Sequence, residues 1–264
     1  YEAYQSMDWQ IDTSSFSIEE TVEKVMNIAR AIQLPVKHPQ GHYPIWIGNG
    51  LLNHIGDVLV QSGIPRNSKL AVSSNQVVAP FYFDQVHQGL LVREYAPFLC
   101  TVPDGEENKT LHSIASLYDQ FLSGELDRQG TVLALGGGVT GDLTGFAAAT
   151  FMRGVRFIQV PTSLLAMVDS SVGGKTGVDL PQGKNLVGSF KQPEAVIVDP
   201  FVLKTLPIEE IRSGLAEVIK HGIIADPALF EQLQRQSGKT EALWDRQTGA
   251  ELISQAVRVK IDIV

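Results

Sequence analysis

The stretch "TVLALGGGVTGDLTGFAAATF", residues 131–151, limits the fold more than any other part of the chain. An apolar strand pattern runs directly into Gly136, Gly137 and Gly138, and a helical pattern opens at Thr140 and continues to Thr150. The same alternation recurs on both sides. "YPIWIG", "KLAVSS" (69–74), "APFLCTVP" (96–103), "RFIQVP" (156–161) and "AVIVDP" (195–200) read as strands. Residues 77–90 and 110–123 read as helices, the second with Leu111, Ile114, Leu117, Tyr118 and Phe121 on one face. Strands alternating with helices predict an α/β fold, a parallel sheet covered on both faces.

The glycine turn has two readings. Gly136-x-Gly138-x-x-Gly141 satisfies the G-x-G-x-x-G pattern, whose exposed N–H groups at a helix N-terminus suit a pyrophosphate. A plain tight turn satisfies it equally. Gly145 and Ala147 to Ala149 would let the helix lie close to the sheet.

Residues 1–41 read as an arm and a helix, with Ser17 and Glu20 in capping-box spacing before "IEETVEKVMNIARAI". Residues 42–206 carry the α/β pattern. After Pro207 the pattern is helical only, so 207–264 are expected to begin a second, all-helical domain. The sequence stops within a helical pattern with no glycine or proline terminator, which predicts that this domain is incomplete.

The net charge of −8 over 264 residues argues against nucleic-acid and anionic-membrane partners, which need a basic face. A few lysines in a cleft can still serve an anionic small molecule. One cysteine, Cys100, rules out an internal disulfide and fits a reducing compartment. No leader pattern and no membrane-length apolar run is present, so a cytoplasmic location is expected.

Four stretches carry candidate chemistry. "VDSSVGGKTGVDLPQGKNLVGSF" (168–190) sets Asp169, Lys175, Asp179, Lys184 and Asn185 among glycines. Lysine is a mobile point charge for phosphate or carboxylate, and glycine permits close approach to the backbone. "PDGEENKT" (103–110) follows a strand end; Glu106 suits ribose hydroxyls and Lys109 a phosphate, although a solvated loop reads the same way. "GLAEVIKHG" (214–222) puts Glu217, Lys220 and His221 on one helix face, as a metal-binding set or as an exposed Glu–Lys pair. "TFMRGVRF" (150–157) holds Arg153 on a turn, a phosphate clamp or a solvated residue. No Ser-His-Asp arrangement and no P-loop is present; "GGKTG" lacks the earlier glycine.

"DGEENK", "GGGVTGD", "FMRGV", "VPTSLLAMVDSSVGGKTGVDLPQGKNLVGSF" and "AEVIKHGI" occur in one order between residue 43 and the last residue. Together they resemble the 3-dehydroquinate synthase family of sugar-phosphate cyclases. The resemblance implies a Rossmann-like NAD-binding α/β domain followed by an all-helical domain, with the active site between them. It implies a homodimer, NAD, and a divalent metal, zinc or cobalt. It also implies conversion of 3-deoxy-D-arabino-heptulosonate 7-phosphate to 3-dehydroquinate with loss of phosphate. By resemblance, Lys175, Asn185, Lys220 and Lys260 bind substrate, Arg153 contacts phosphate from a partner subunit, and Asp169 lies near nicotinamide and substrate. Asn75, Asp104, Gly105, Glu106, Lys109, Gly137, Gly138, Val139, Asp142, Thr162, Ser163, Lys175, Lys184 and Val202, Leu203, Lys204, Thr205 match cofactor positions. Glu217 matches the metal-binding glutamate. The family's two histidine ligands match no residue here, and His221 matches neither. The expectation is therefore a chain that keeps its NAD contacts but, alone, lacks a complete metal site and is inactive. The rivals are a sister cyclase, a non-catalytic NAD-binding module and a metal-dependent polyol dehydrogenase that would accumulate NADH.

Overall fold

The computed structural model describes residues 17, 18, 21, 31–66, 68–235 and 248–264. Glu20 of the capping box and most of the expected first helix lie outside them.

A seven-stranded sheet organises the α/β part. In chain order its strands are β1 (Ile32–His38), β2 (Gly41–Ile47), β3 (Lys69–Asn75), β4 (Ala96–Val102), β5 (Thr131–Gly136), β6 (Arg156–Pro161) and, after a separate hairpin, β9 (Ala195–Val198). Their order across the sheet is β1-β2-β9-β6-β5-β3-β4. Only the β1–β2 pair is antiparallel; β2, β9, β6, β5, β3 and β4 run parallel. β1 corrects the sequence reading, which had Ile32 end a helix and placed the rest in an arm. In "IQLPVKH" Leu34 and Val36 are buried while their neighbours are not, the period-2 signature of an edge strand. Pro35 is tolerated there because an edge strand has ladder positions without a partner.

Helices α1 (Ile55–Gln61) and α2 (Ala79–Leu91) share one core with β1, β2 and β9, centred on Tyr43, Ile45, Ile55, Leu59 and Val196. Helices α3 (Leu111–Ser123) and α4 (Gly138–Thr150) close the other face over Val132, Ala134, Leu143 and Phe157. With both faces covered, the central strands carry no polar face: all six residues of β5 are buried. α3 begins at an N-cap, the Thr110 hydroxyl accepting from the Ser113 N–H at 3.3 Å. α4 lies so close to its neighbours that a Cβ on Gly145 would stand 2.4 Å from Thr176 Cγ2.

The segment 168–190, read as a glycine-rich loop, is instead a π-helical turn (Ala166–Ser170) and an antiparallel hairpin, β7 (Lys175–Leu180) with β8 (Gly183–Phe190). After residue 207 the described residues are helical: α5 (Ile208–Ile224), α6 (Pro227–Arg235) and α7 (Thr248–Ile263). α5 meets the residues just before the π-helical turn at Gly214, whose added Cβ would lie 2.6 Å from Leu164 Cβ. Among the described residues no helix is long and apolar enough to cross a membrane.

Candidate active site

Parallel strands end together, so whatever follows them gathers on one edge. Asn75 closes β3, Asp104 and Gly105 follow β4, Gly137 follows β5, Thr162 follows β6, and Pro200–Thr205, a 3₁₀ turn, follows β9. Every one of these cofactor candidates therefore sits at the carboxyl edge of the sheet, where open α/β sheets bind their ligands. They are tied to one another. The Asn75 side-chain amide donates to Asp104 at 2.6 Å, and its carbonyl accepts from the Val78 N–H at 2.8 Å. The Thr162 N–H donates to the Gly136 carbonyl at 2.9 Å. Tyr82 donates to the Val202 carbonyl at 2.9 Å and meets the Thr205 hydroxyl at 2.5 Å.

The glycines open this edge. α4 starts at Gly138, so its first-turn N–H groups have no partner within the helix. A Cβ on Gly138 would stand 3.1 Å from the Ser170 hydroxyl, and one on Gly137 would stand 3.5 Å from that of Ser163. Bare backbone is what keeps the notch between them clear. This is a cradle that fits a pyrophosphate.

Beside the notch lies a cavity of about 520 Å³ lined by Asp142, Asp169, Lys175, Asn185 and Lys260, with Ser170 contributing a hydroxyl. Residues far apart in sequence meet here because the hairpin folds over α4. Lys109, 4% exposed, ion-pairs with Asp142 at 2.5 Å and donates to the Asn185 side-chain carbonyl at 2.6 Å. Burial raises the Asp142 carboxyl above the usual range, and Lys109 opposes that shift. Lys260, on the last helix, reaches Asp169 at 2.6 Å. Among the described residues no carboxylate pairs with Lys175, so its charge remains open to an anion. Lys184 reaches Glu106 at 3.0 Å, linking the second strand of the hairpin to the loop after β4.

Glu217 adjoins this wall. It ion-pairs with Lys220, and its Oε1 lies 3.4 Å from His221 Nε2. Ligand atoms of Asp169, Glu217 and His221 all lie within 4.8 Å of one another. His221 Nδ1 is buried without a hydrogen-bond partner, whereas Glu217 Oε1 is occupied by Lys220. Burial lowers the His221 pKa, with the nearby Glu217 opposing, which favours the neutral imidazole that ligates metals. One nitrogen and two oxygens suit a borderline divalent ion. Two ammonium groups already engage the carboxylates.

Sequence reading found most of these residues and missed some of their relations. It gave Glu217 as the one metal ligand; the structure brings Asp169 and His221 to it. It gave no role to Asp179, whose carboxylate accepts from the Asn185 N–H at 2.7 Å. Hairpin pairing was the missing signal, since "GVDLPQGKNLVG" has more turn residues than strand residues. Arg153 is not brought to the cavity within one chain. It lies at the far end of α4, about 20 Å of helix from Gly138. There Met152 (φ 49°) and Arg153 (φ 68°) hold left-handed conformations on an exposed turn.

Family models match in two consecutive pieces: 3-dehydroquinate synthase N-terminal over residues 99–213 and 3-dehydroquinate synthase C-terminal over residues 214–264. The 3-dehydroquinate synthase of Rippkaea orientalis is 48% identical over 236 residues, 89% of this chain and 64% of that protein. The Synechocystis enzyme of the same name is 47% identical over 236 residues, again 89% and 64%. The chain thus spans about 64% of the length of these relatives. Among solved structures, 2-epi-5-epi-valiolone synthase from Streptomyces hygroscopicus, with NAD+ and Zn2+ bound, superposes with a TM-score of 0.73 at 27% identity. That match covers 83% of this chain and 60% of the other. A 2-deoxy-scyllo-inosose synthase, complexed with carbaglucose-6-phosphate, NAD+ and Co2+, gives 0.75 at 22%, covering 88% and 63%, and speaks for the fold alone.

Proposed function

Because this chain belongs to the 3-dehydroquinate synthase family, we propose that it forms the NAD-binding domain and the beginning of the helical domain of such an enzyme. The reaction would turn 3-deoxy-D-arabino-heptulosonate 7-phosphate into 3-dehydroquinate and phosphate. The observation that carries this reading is the open Lys175 charge in a cavity shared with Asn185, Asp142, Asp169 and Lys260, beside the glycine cradle. A nucleotide pyrophosphate in the cradle would leave its reactive end toward that cavity, where a phosphorylated sugar meets cations and an amide.

NAD would take up and return a hydride at a ring carbon, making the neighbouring proton acidic while phosphate leaves, and the metal would polarise the sugar's oxygens. The protein's own groups do the remainder. Lys175 and Lys220 supply charge for the phosphate dianion, most valuable as the leaving group gains charge. Asn185 offers an amide that can donate and accept. Lys260 neutralises Asp169 until substrate competes for both. Glu217, with Asp169 and His221 at hand, would hold the metal. Arg153, outside the cavity of its own chain, is suited to reach a partner's cavity in a homodimer, and the two left-handed residues fix its turn.

Phosphate release tests the proposal, with NAD, zinc and the heptulosonate phosphate supplied. These 264 residues alone are expected to bind NAD and release none, because the two histidines that complete the family's metal site match no residue here. A chain carrying the full helical domain is expected to release phosphate and form 3-dehydroquinate. In that longer chain Lys175→Ala lowers turnover by about 100-fold, the scale of losing one charge-stabilising donor. Accumulation of NADH, or no phosphate from the longer chain, overturns the reading.

A further inference from the structure

Asn185 holds a left-handed backbone, which asparagine tolerates better than most non-glycine residues. Its φ is 55°, and it sits where the β7–β8 ladder loses register, between the pairs Val178–Val187 and Leu180–Gly183. Three residues of β8 there stand opposite one residue of β7, Asp179. Asp179 closes the irregularity from both ends. Its carboxylate accepts from the Asn185 N–H at 2.7 Å, and its own N–H donates to the Lys109 carbonyl at 2.7 Å. Lys109 completes the ring by donating through Nζ to the Asn185 side-chain carbonyl at 2.6 Å. Asp179 itself does not line the cavity, whereas Asn185 does.

We propose that Asp179 is a positioning residue: it holds Asn185 in its left-handed conformation and ties the hairpin to Lys109, so that the Asn185 amide faces the phosphorylated substrate. A charge-assisted hydrogen bond to a backbone N–H is among the stronger ones a carboxylate makes. It is applied here to a left-handed conformation that asparagine tolerates but that is only one of several open to it unless its surroundings select it. Without it, the bulge can relax toward a regular ladder, and one-residue changes of register turn side chains to the opposite face.

The substrate assignment rests on the function proposed above, so the test separates the two. The probe is the phosphonate isostere of the sugar phosphate, which cannot lose phosphate, titrated by calorimetry into the NAD-bound protein. Asp179→Ala is expected to weaken binding about tenfold, the loss of one charge-assisted hydrogen bond. Asp179→Asn, which keeps the acceptor oxygen, should stay within about threefold of the unchanged protein. Asn185→Gly removes the amide and takes a positive φ freely, so Asp179→Ala added to it should produce little further loss. Wild-type affinity in Asp179→Ala, or an undiminished effect in the Asn185→Gly background, overturns the positioning role. Hydrogen exchange of the Asn185 N–H, read by NMR without any ligand, gives the second measure. It should quicken in Asp179→Ala, and an unchanged rate refutes the brace even if the variant binds poorly. If the unchanged protein ignores the phosphonate while the exchange result holds, the functional reading fails and the brace stands.

Discussion

Asp199 shows how a single residue can oppose two effects. It is 2% exposed, and its carboxylate accepts from the N–H groups of Gly50 at 3.0 Å, Leu52 at 3.1 Å and Phe201 at 3.0 Å. It thereby pins the 3₁₀ turn after β2 to the end of β9. Burial raises its pKa, and the three N–H bonds oppose the shift without cancelling it. The sign follows from linkage. A carboxyl with a raised folded pKa binds its proton more tightly folded than unfolded, so stability increases as pH falls from the raised value to the unfolded one, about 3.9. Asp199→Asn removes that titration. Urea unfolding from pH 7 down to about pH 4 should therefore show the unchanged protein gaining on the variant as pH falls. A gap that narrows instead would mean that the three hydrogen bonds outweigh burial.

Among the elements, α4 carries the most consequence, because its first turn forms the cradle and its middle supports the hairpin. Gly145 sets that support. A Cβ there would stand 2.4 Å from Thr176 Cγ2 and 2.9 Å from the Phe157 ring. Alanine would favour the helix by about 0.5–1 kcal/mol, but inserting a methyl into a packed contact costs about 1–3 kcal/mol. Gly145→Ala should therefore lower the urea midpoint and loosen β7, and a raised midpoint would show that Thr176 moves aside freely. The sequence made α4 readable, glycines included, because a buried strand, a bare turn and an apolar helix are local patterns. β5 was equally readable as a nearly continuous apolar run, and β6 through its Phe157, Ile158 and Val160 despite Gln159. β1 was not, since "IQLPVKH" carries a proline and only two buried apolar residues, and its identity comes from pairing with β2. The β7–β8 hairpin failed for the same reason: its ladder is a tertiary fact written in residues that locally favour turns. Site residues fared better than site relations. Lys175, Asn185 and Asp142 stood in recognisable motifs, whereas the meeting of Asp169 with Glu217 and His221 depends on how α5 packs against the π-helical turn.

For the whole molecule, a ligand stabilises the fold only as far as it binds the folded chain and not the unfolded one. The larger apolar cluster runs from the sheet through Val168 of the π-helical turn and Val218 of α5 to Val257 of α7, directly behind the metal-donor side chains. Asp169 and Glu217 stand at the edge where α5 and α7 meet the π-helical turn, partly exposed. Because this chain alone is expected to hold no metal tightly, removing divalent ions with a chelator should leave the thermal midpoint unchanged. NAD is different, because its cradle exists only when β3, β4, β5, β6 and β9 end together, so it binds the folded state and not the unfolded chain. At a hundred times its dissociation constant it should add about 2.7 kcal/mol, which for a chain of this size moves the midpoint by about 5–10 °C. Calorimetric melting with NAD, with chelator and with both measures each effect. A midpoint indifferent to NAD would remove the cradle from the nucleotide site, and one lowered by the chelator would show that the folded chain already holds a metal tightly.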